Sequence, residues 1–183
     1  SLYLANMSGG QLTVREGAST CCYNIVTAYG DQVLPIILSS IQAGLEAIKG
    51  TDASPDAWTR AEGCVLTLAE LAKIKAHQEQ VSKLLPALFI DSRHYSQHLS
   101  YCITLVKSLG VIFSAMDKRW FKPHLELEVI FQCAASDNIE ARTVGEQCLV
   151  VLSRVIGPRI LRGRVEQCSN PQYLTIHDRV IHC

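Results

Sequence analysis

The chain has 183 residues, of which 48% are hydrophobic and 19% are charged. This apolar content excludes intrinsic disorder, because enough surface can be buried to offset the entropy lost on folding. Lys plus Arg and Asp plus Glu both number 17, and that balance excludes a strong overall field towards nucleic acid or an anionic membrane. The longest apolar runs, such as 148–152, are too short to cross a bilayer.

Helical periodicity covers most of the chain, and glycine or proline interrupts it about once per helix. Ser54 before Pro55 and the pair 137–138 are predicted to cap helices. Residues 1–11 are expected to be a leader or disordered, and the tail 168–183 is expected to be irregular with a bias to extended structure. Because the chain begins at Ser1, we expect a fragment or a processed chain, with Met7 as a candidate start. The predicted helices cover residues 14–29, 31–49, 55–74, 77–90, 95–115, 119–135, 139–156 and about 158–167.

Paired helices share several features along the chain. Three first helices carry an arginine near their start, at Arg15, Arg60 and Arg142. A helical hairpin alone cannot bury both of its apolar faces, so such hairpins stack on one another. An arginine at a fixed position can then bridge to an acidic or carbonyl group of the next repeat. The second helices carry a proline near their beginning, at Pro35, Pro86, Pro123 and Pro158.

This pattern resembles the HEAT repeats of the HEAT/armadillo class over roughly residues 12–167. The segment Asp137-Asn138-Ile139-Glu140-Ala141-Arg142 is the most similar, and Cys148, Leu149 and Leu152 follow it. The first two units resemble the β-karyopherins, the family of importin-β and transportin, at Val33-Leu34-Pro35-Ile36-Ile37 and Trp58-Thr59-Arg60-Ala61-Glu62-Gly63. The resemblance implies an all-α solenoid of about four HEAT-like hairpins over 12–167. It also implies nuclear-transport cargo or Ran-type partners. An irregular helical bundle is the alternative fold.

We expect a scaffold that binds other proteins through a concave helical face and through turns, in the cytoplasm or the nucleus, with no catalytic residue, cofactor, membrane or small-molecule substrate. Tryptophan and arginine dominate interface hot spots. The alternative role for the tryptophans is packing against a neighbouring repeat. The alternative for the arginines is a solvated position at a helix end. A phosphatase 2A-type regulatory scaffold and a TOG-like tubulin binder are further possibilities, the latter on a loose similarity at Trp58. The candidate partner-binding residues are Trp58, Arg60, Trp120, Arg159 and Arg162.

Two rival functions depend on specific side chains. His94, His98 and Cys102 are four residues apart, which on one helix would make a zinc-binding stripe. The segment lacks the glutamate of a metalloprotease helix, and Cys102 falls at a core position, so we expect no metal. A cluster of arginines, 154 to 164, could instead bind nucleic acid, against the alternative that these cations favour helix ends.

The eight cysteines occur mostly singly in apolar helical patterns, and we expect them to be reduced.

Overall fold

The structure is a computed structural model that describes residues 12–50 and 53–181, without the side chains of Leu12 and Arg93. The predicted leader, 1–11, lies outside the described residues. Within the described ranges all regular structure is helical and no strand occurs, which confirms the all-α prediction. The chain divides between Ile90 and Asp91 into two compact units.

The first unit has four α-helices in its described part, and the first two both pack against the third. Short 3-10 helices lie at Gly30–Gln32, Lys75–His77 and Leu85–Leu88. Leu85–Leu88 also packs against the second helix. The four helices are α1 (Leu12–Tyr29), α2 (Leu34–Glu46), α3 (Pro55–Leu71) and α4 (Gln78–Ser82).

The start of α3 follows the predicted capping chemistry. The Ser54 hydroxyl accepts a hydrogen bond from the Ala57 amide at 3.2 Å, and Pro55 occupies the first turn. The prediction of one helix over 77–90 is wrong, because the chain forms short α4 and then the 3-10 helix around Pro86. Proline has no amide hydrogen to donate, and its ring clashes with the preceding turn of an α-helix.

Two buried polar contacts join α1 to α3. An Arg15 Nη2 donates to Glu62 Oε2 at 2.9 Å, and both side chains are less than a tenth exposed. The hydroxyls of Ser19 and Thr67 lie 3.2 Å apart one turn further on. From the first contact to the second, the residue number increases in both helices. The helices α1 and α3 therefore run parallel and side by side. Arg15 therefore forms an ion pair with an acidic residue of a helix that is distant in sequence.

The second unit is organised around one long helix, Ile139–Ile156. This helix contacts Leu99–Ala115, Glu128–Ala134, Pro158–Val165 and Gln172–Ile181. Two 3-10 helices, Ser92–Gln97 and Lys122–His124, also belong to the unit. In chain order its α-helices are α5 (Leu99–Ala115), α6 (Lys118–Phe121), α7 (Glu128–Ala134), α8 (Ile139–Ile156), α9 (Pro158–Val165) and α10 (Gln172–Ile181).

The central helix α8 has the predicted bounds. The Asn138 side chain caps it by accepting a hydrogen bond from the Ala141 amide at 3.0 Å. It ends at Gly157, whose φ of 95° lies in the region that side chains other than glycine rarely adopt. Near its middle, Gly145 lies directly against α7. A β-carbon at this position would lie 2.8 Å from the Ala134 Cα, so only glycine permits this approach.

Three predicted segments of this unit differ from the structure. The prediction of one helix over 119–135 is wrong, because a 3-10 turn at Pro123 separates α6 from α7. The helix predicted from residue 95 begins at Leu99. Extended structure in the tail is also wrong for residues 172–181, which form α10. Tyr173, Ile176 and His177 are buried at helical spacing, and this period outweighs the strand preference of the nearby branched residues.

Candidate functional site

The first pair of predicted binding residues lies in the opening turns of α3. Trp58 is half-buried and Arg60 is exposed. The Arg60 side chain passes close to Gly44 of α2, where an added β-carbon would be 3.5 Å from the Arg60 Nε. Arg60 therefore remains on the surface beside α2, unlike Arg15, which is buried against Glu62.

The other predicted binding residues lie in the second unit, in different settings. Trp120 is half-buried in α6, and the Arg119 guanidinium carbon is 4.9 Å from its ring centre, within cation–π range. Arg159 is exposed at the start of α9. Arg162 instead forms ion pairs with Glu166 of the following turn, at 3.2 Å, and with Asp178 of α10. The pair with Asp178 gives Arg162 a structural role in joining α9 to α10.

Exposed aliphatic side chains occur near the starts of α2 and α9. Ile36 in α2 is 64% exposed, and it directly precedes the buried Ile37. Ile160 in α9 is 47% exposed and directly precedes the buried Leu161. The next buried aliphatic residue lies four positions after Ile37 in α2, at Ile41, and four positions after Leu161 in α9, at Val165. Both isoleucines leave apolar surface exposed, as do Val14, Tyr29 and Ile139.

The histidine stripe proposed for zinc does not form. His94 lies in the 3-10 helix Ser92–Gln97, and the backbone of His98 is not helical, so the three side chains do not follow one α-helix. The Cys102 thiol is buried and hydrogen-bonds to the Tyr95 carbonyl oxygen. In the described ranges, no group of three or more His, Cys, Asp or Glu side chains has the geometry to hold a metal ion.

The described cysteines are free thiols, in agreement with the prediction that they are reduced. Desolvation by burial raises the pKa of Cys64, Cys102 and Cys133 to about 12. Burial also raises the pKa of Cys148. A thiol with such a pKa is protonated near neutral pH, and the protonated form is a poor nucleophile. These four thiols therefore serve as apolar core side chains.

A cavity of about 400 Å³ lies in the second unit between α7 and the start of α10. Its polar wall is a hydrogen-bonded group in which Glu128 accepts from the Tyr173 hydroxyl and from the Gln132 amide. Burial, followed by the hydrogen bond to Glu128, raises the pKa of Tyr173. The Tyr173 ring also stacks on Phe131, with 4.7 Å between ring centres. This group fastens α10 to α7, and the sequence pattern did not point to it.

A wider groove, of about 910 Å³, runs between α8 and α10. Val150 and Val151 of α8 and Val180 of α10 give it a half-buried apolar floor. Arg179 and Glu146, which both line the groove, form an ion pair at 2.7 Å, and the exposed Arg154 lies one turn beyond Val150. The signal that could have identified this face is the spacing of residues 143, 146, 147, 150, 151 and 154, a stripe that follows one side of α8.

The described helices include none that is both long enough and apolar enough to span a membrane. No family model, no curated protein and no solved structure matches this chain.

Proposed function

We propose that this chain is a protein-binding scaffold built from HEAT-like helical hairpins that stack as a solenoid. The observation that carries the proposal is the contact between α1 and α3. Its two polar pairs join residues 47 and 48 positions apart, close to one HEAT repeat of roughly 40–47 residues. In a stack of hairpins, the first helices of successive repeats run parallel and in contact. The parallel pair α1 and α3 has this relation.

The second unit supports the same arrangement. The first helices of its successive pairs are α5, α8 and α10, and α8 contacts both of the others. Helices α5 and α8 begin at residues 99 and 139, again about one repeat apart. Helix α10 would then be the first helix of a further repeat.

Partner recognition is assigned to the second helices and to the turns. Ile36 of the first unit and Ile160 of the second are exposed, and an exposed aliphatic side chain contributes apolar area when a partner covers it. Trp58 and Arg60 in the first unit, and Trp120 and Arg159 in the second, are proposed as further contacts with a partner.

The importin-β-like resemblance makes nuclear-transport cargo and a Ran-type GTPase the first partners to test, in the cytoplasm or nucleus. This assignment depends on the sequence motifs at 33–37 and 58–63. A phosphatase 2A-type scaffold and a TOG-like tubulin binder have the same class of fold and remain the alternatives. Purified Ran-type GTPase, phosphatase catalytic subunit and tubulin, each titrated against the chain, distinguish the three.

The scaffold proposal is tested by affinity capture from cell extract with quantitative mass spectrometry. The full chain is compared with Ile36→Asp and Ile160→Asp, and with Asn24→Asp as a matched control at an exposed position of α1. We expect a reproducible set of proteins that both isoleucine variants lose and that Asn24→Asp retains. If the full chain and its three variants captured the same proteins, the partner-binding roles assigned to Ile36 and Ile160 would be contradicted. Retention of nucleic acid with steep salt dependence, reduced by Arg159→Ala with Arg162→Ala, would contradict the scaffold proposal itself.

A further inference from the structure

The groove between α8 and α10 combines an apolar floor with a charge that the described residues do not neutralise. Val150, Val151 and Val180 are each half-buried, so apolar surface remains exposed along its centre. Glu146 and Arg179 neutralise each other at 2.7 Å. In the part of the chain that the structure describes, Arg154 has neither an ion-pair nor a hydrogen-bond partner for its guanidinium.

The shape of the groove fits a helix. The stripe from residue 143 to residue 154 of α8 spans about 17 Å, the length of three helical turns. A volume of about 910 Å³ gives space for the side chains of one helix face. An amphipathic helix that binds in such a groove inserts apolar side chains spaced by three and four residues.

The charge selects the kind of helix. A wholly apolar helix would cover Arg154 without supplying a counter-ion, and an unpaired cation removed from water is strongly unfavourable. A carboxylate near Arg154 would satisfy the guanidinium with charge-assisted hydrogen bonds. Val150 and Arg154 are one turn apart on α8, so the matching aliphatic and acidic residues should be about one turn apart on the partner.

We propose that the groove between α8 and α10 binds an amphipathic helix of another protein, with an aliphatic side chain on the valine floor and a carboxylate on Arg154. This inference builds on the proposed scaffold function and names the chemistry of one partner surface. The groove lining includes neither Ile36 nor Ile160.

The test is a selection of displayed helical peptides, about 14 residues long so that they span the groove, against the full chain. One face of each peptide is randomised on an alanine-rich background. We expect enriched peptides to carry Leu, Ile or Val about one turn from Asp or Glu. Their affinity should fall at least about tenfold, equivalent to 1.4 kcal/mol, with Arg154→Glu and with Val150→Glu. Lys122→Glu, which changes an exposed cation of the 3-10 helix Lys122–His124 outside the groove lining, is the control and should retain binding within about twofold.

A charge exchange adds a specific readout. Replacing the peptide carboxylate by lysine should weaken binding to the native chain and restore binding to Arg154→Glu. Circular dichroism of each variant checks that the fold is intact, since Arg154 is exposed and Val150 is only half-buried.

The contrary outcomes are distinct. Enriched peptides that are insensitive to Arg154→Glu and Val150→Glu would overturn the groove assignment and leave the scaffold proposal standing. A lack of any enriched peptide would overturn the groove assignment alone, because the scaffold proposal is tested separately by the capture experiment with Ile36→Asp and Ile160→Asp. A dimer in light scattering that Arg154→Glu dissociates would show that a second copy of the chain fills the groove, and this would also overturn the proposal.

Discussion

The two units bring helices into close contact by different means. In the first unit, α1 and α3 meet through the buried ion pair of Arg15 and Glu62. In the second unit, α7 and α8 meet because Gly145 has no side chain, and the backbone of Ala134 occupies the space. A polar contact of the first kind can be exchanged for an apolar one if both partners change together. A backbone contact of the second kind allows no larger side chain at all.

The first unit also has a close glycine contact, and it differs in what lies opposite. A β-carbon at Gly44 of α2 would lie 2.5 Å from the Cys64 sulfur of α3. Here the neighbour is a side chain, which mutation can shorten. The identity of the neighbouring atom, rather than the glycine alone, therefore decides whether a second substitution can relieve the clash.

Alkaline pH should produce the largest effect, and the second unit should contribute more of it. In the unfolded chain the thiols titrate near pH 9, whereas burial raises the folded pKa of Cys64, Cys102 and Cys133 to about 12. Above pH 9 the unfolded state therefore loses protons that the folded state keeps, and the free energy of unfolding falls until about pH 12. Each such thiol contributes up to about 1.4 kcal/mol per pH unit.

Urea unfolding at pH 8 and pH 10.5 measures this effect. Cys102→Ala with Cys133→Ala removes two of the titrating groups from the second unit and should flatten the pH dependence more than Cys64→Ala does. Equal pH dependence in the parent chain and in these variants would contradict the role assigned to the buried thiols.

Gly145→Ala should destabilise the second unit by about 3 kcal/mol, because the backbone opposite cannot move away without separating α7 from α8. Urea unfolding checks the value. The matched control is Gly110→Ala in α5, where a β-carbon would meet nothing within 4 Å. This control should stabilise the chain by about 0.5 kcal/mol through helix propensity. If the two variants were equally stable, the close approach at Gly145 would be wrong.

Gly44→Ala should cost less, about 1.5 kcal/mol, and the cost should depend on Cys64. In the double variant with Cys64→Ala, the new methyl group occupies the space that the sulfur leaves. The double variant should therefore be more stable than the sum of the two single effects predicts. Strict additivity, measured by urea unfolding, would indicate that α2 and α3 do not approach each other at this point.

The smallest effect is expected at the last helix. Asp178→Asn removes the ion pair with Arg162, which is partly exposed, so we expect a loss of about 0.5 kcal/mol. Amide hydrogen exchange in α10 should become faster, while exchange in α5 stays unchanged. Glu79→Gln, which removes a well-exposed pair with Lys83 in the first unit, is the control and should leave α10 unaffected. Unchanged exchange in α10 would mean that this pair does not hold the helix.

Local sequence signals predicted the all-α class and several helix ends. Ser54, Asn138 and Gly157 act within their own helix termini, so their chemistry can be read from neighbouring residues. The prolines were harder to interpret. Pro35 and Pro158 lie in first turns as predicted, whereas Pro86 and Pro123 occupy 3-10 helices and break the predicted helices into short pieces.

Contacts between distant residues were mostly beyond prediction. The three arginines near predicted helix starts make different contacts. Arg15 pairs with Glu62 of α3, and Arg60 stays at the surface. Arg142 donates a hydrogen bond to the nearby Ser136 carbonyl oxygen. The groove beside Arg154 depends on where α10 docks, and the tail was not recognised as a helix. The stacking of Tyr173 on Phe131 likewise requires the tertiary arrangement.

A double-mutant cycle on Arg15 and Glu62 tests most directly whether α1 and α3 lie side by side. Arg15→Met and Glu62→Leu should each be strongly destabilising, because each leaves a buried charge without its partner. The double variant should recover most of that loss, which gives a coupling energy of about 2 to 3 kcal/mol. A coupling below about 0.5 kcal/mol would mean that the two side chains do not meet. The parallel contact of α1 and α3, and the stacked scaffold proposed from it, would then be wrong.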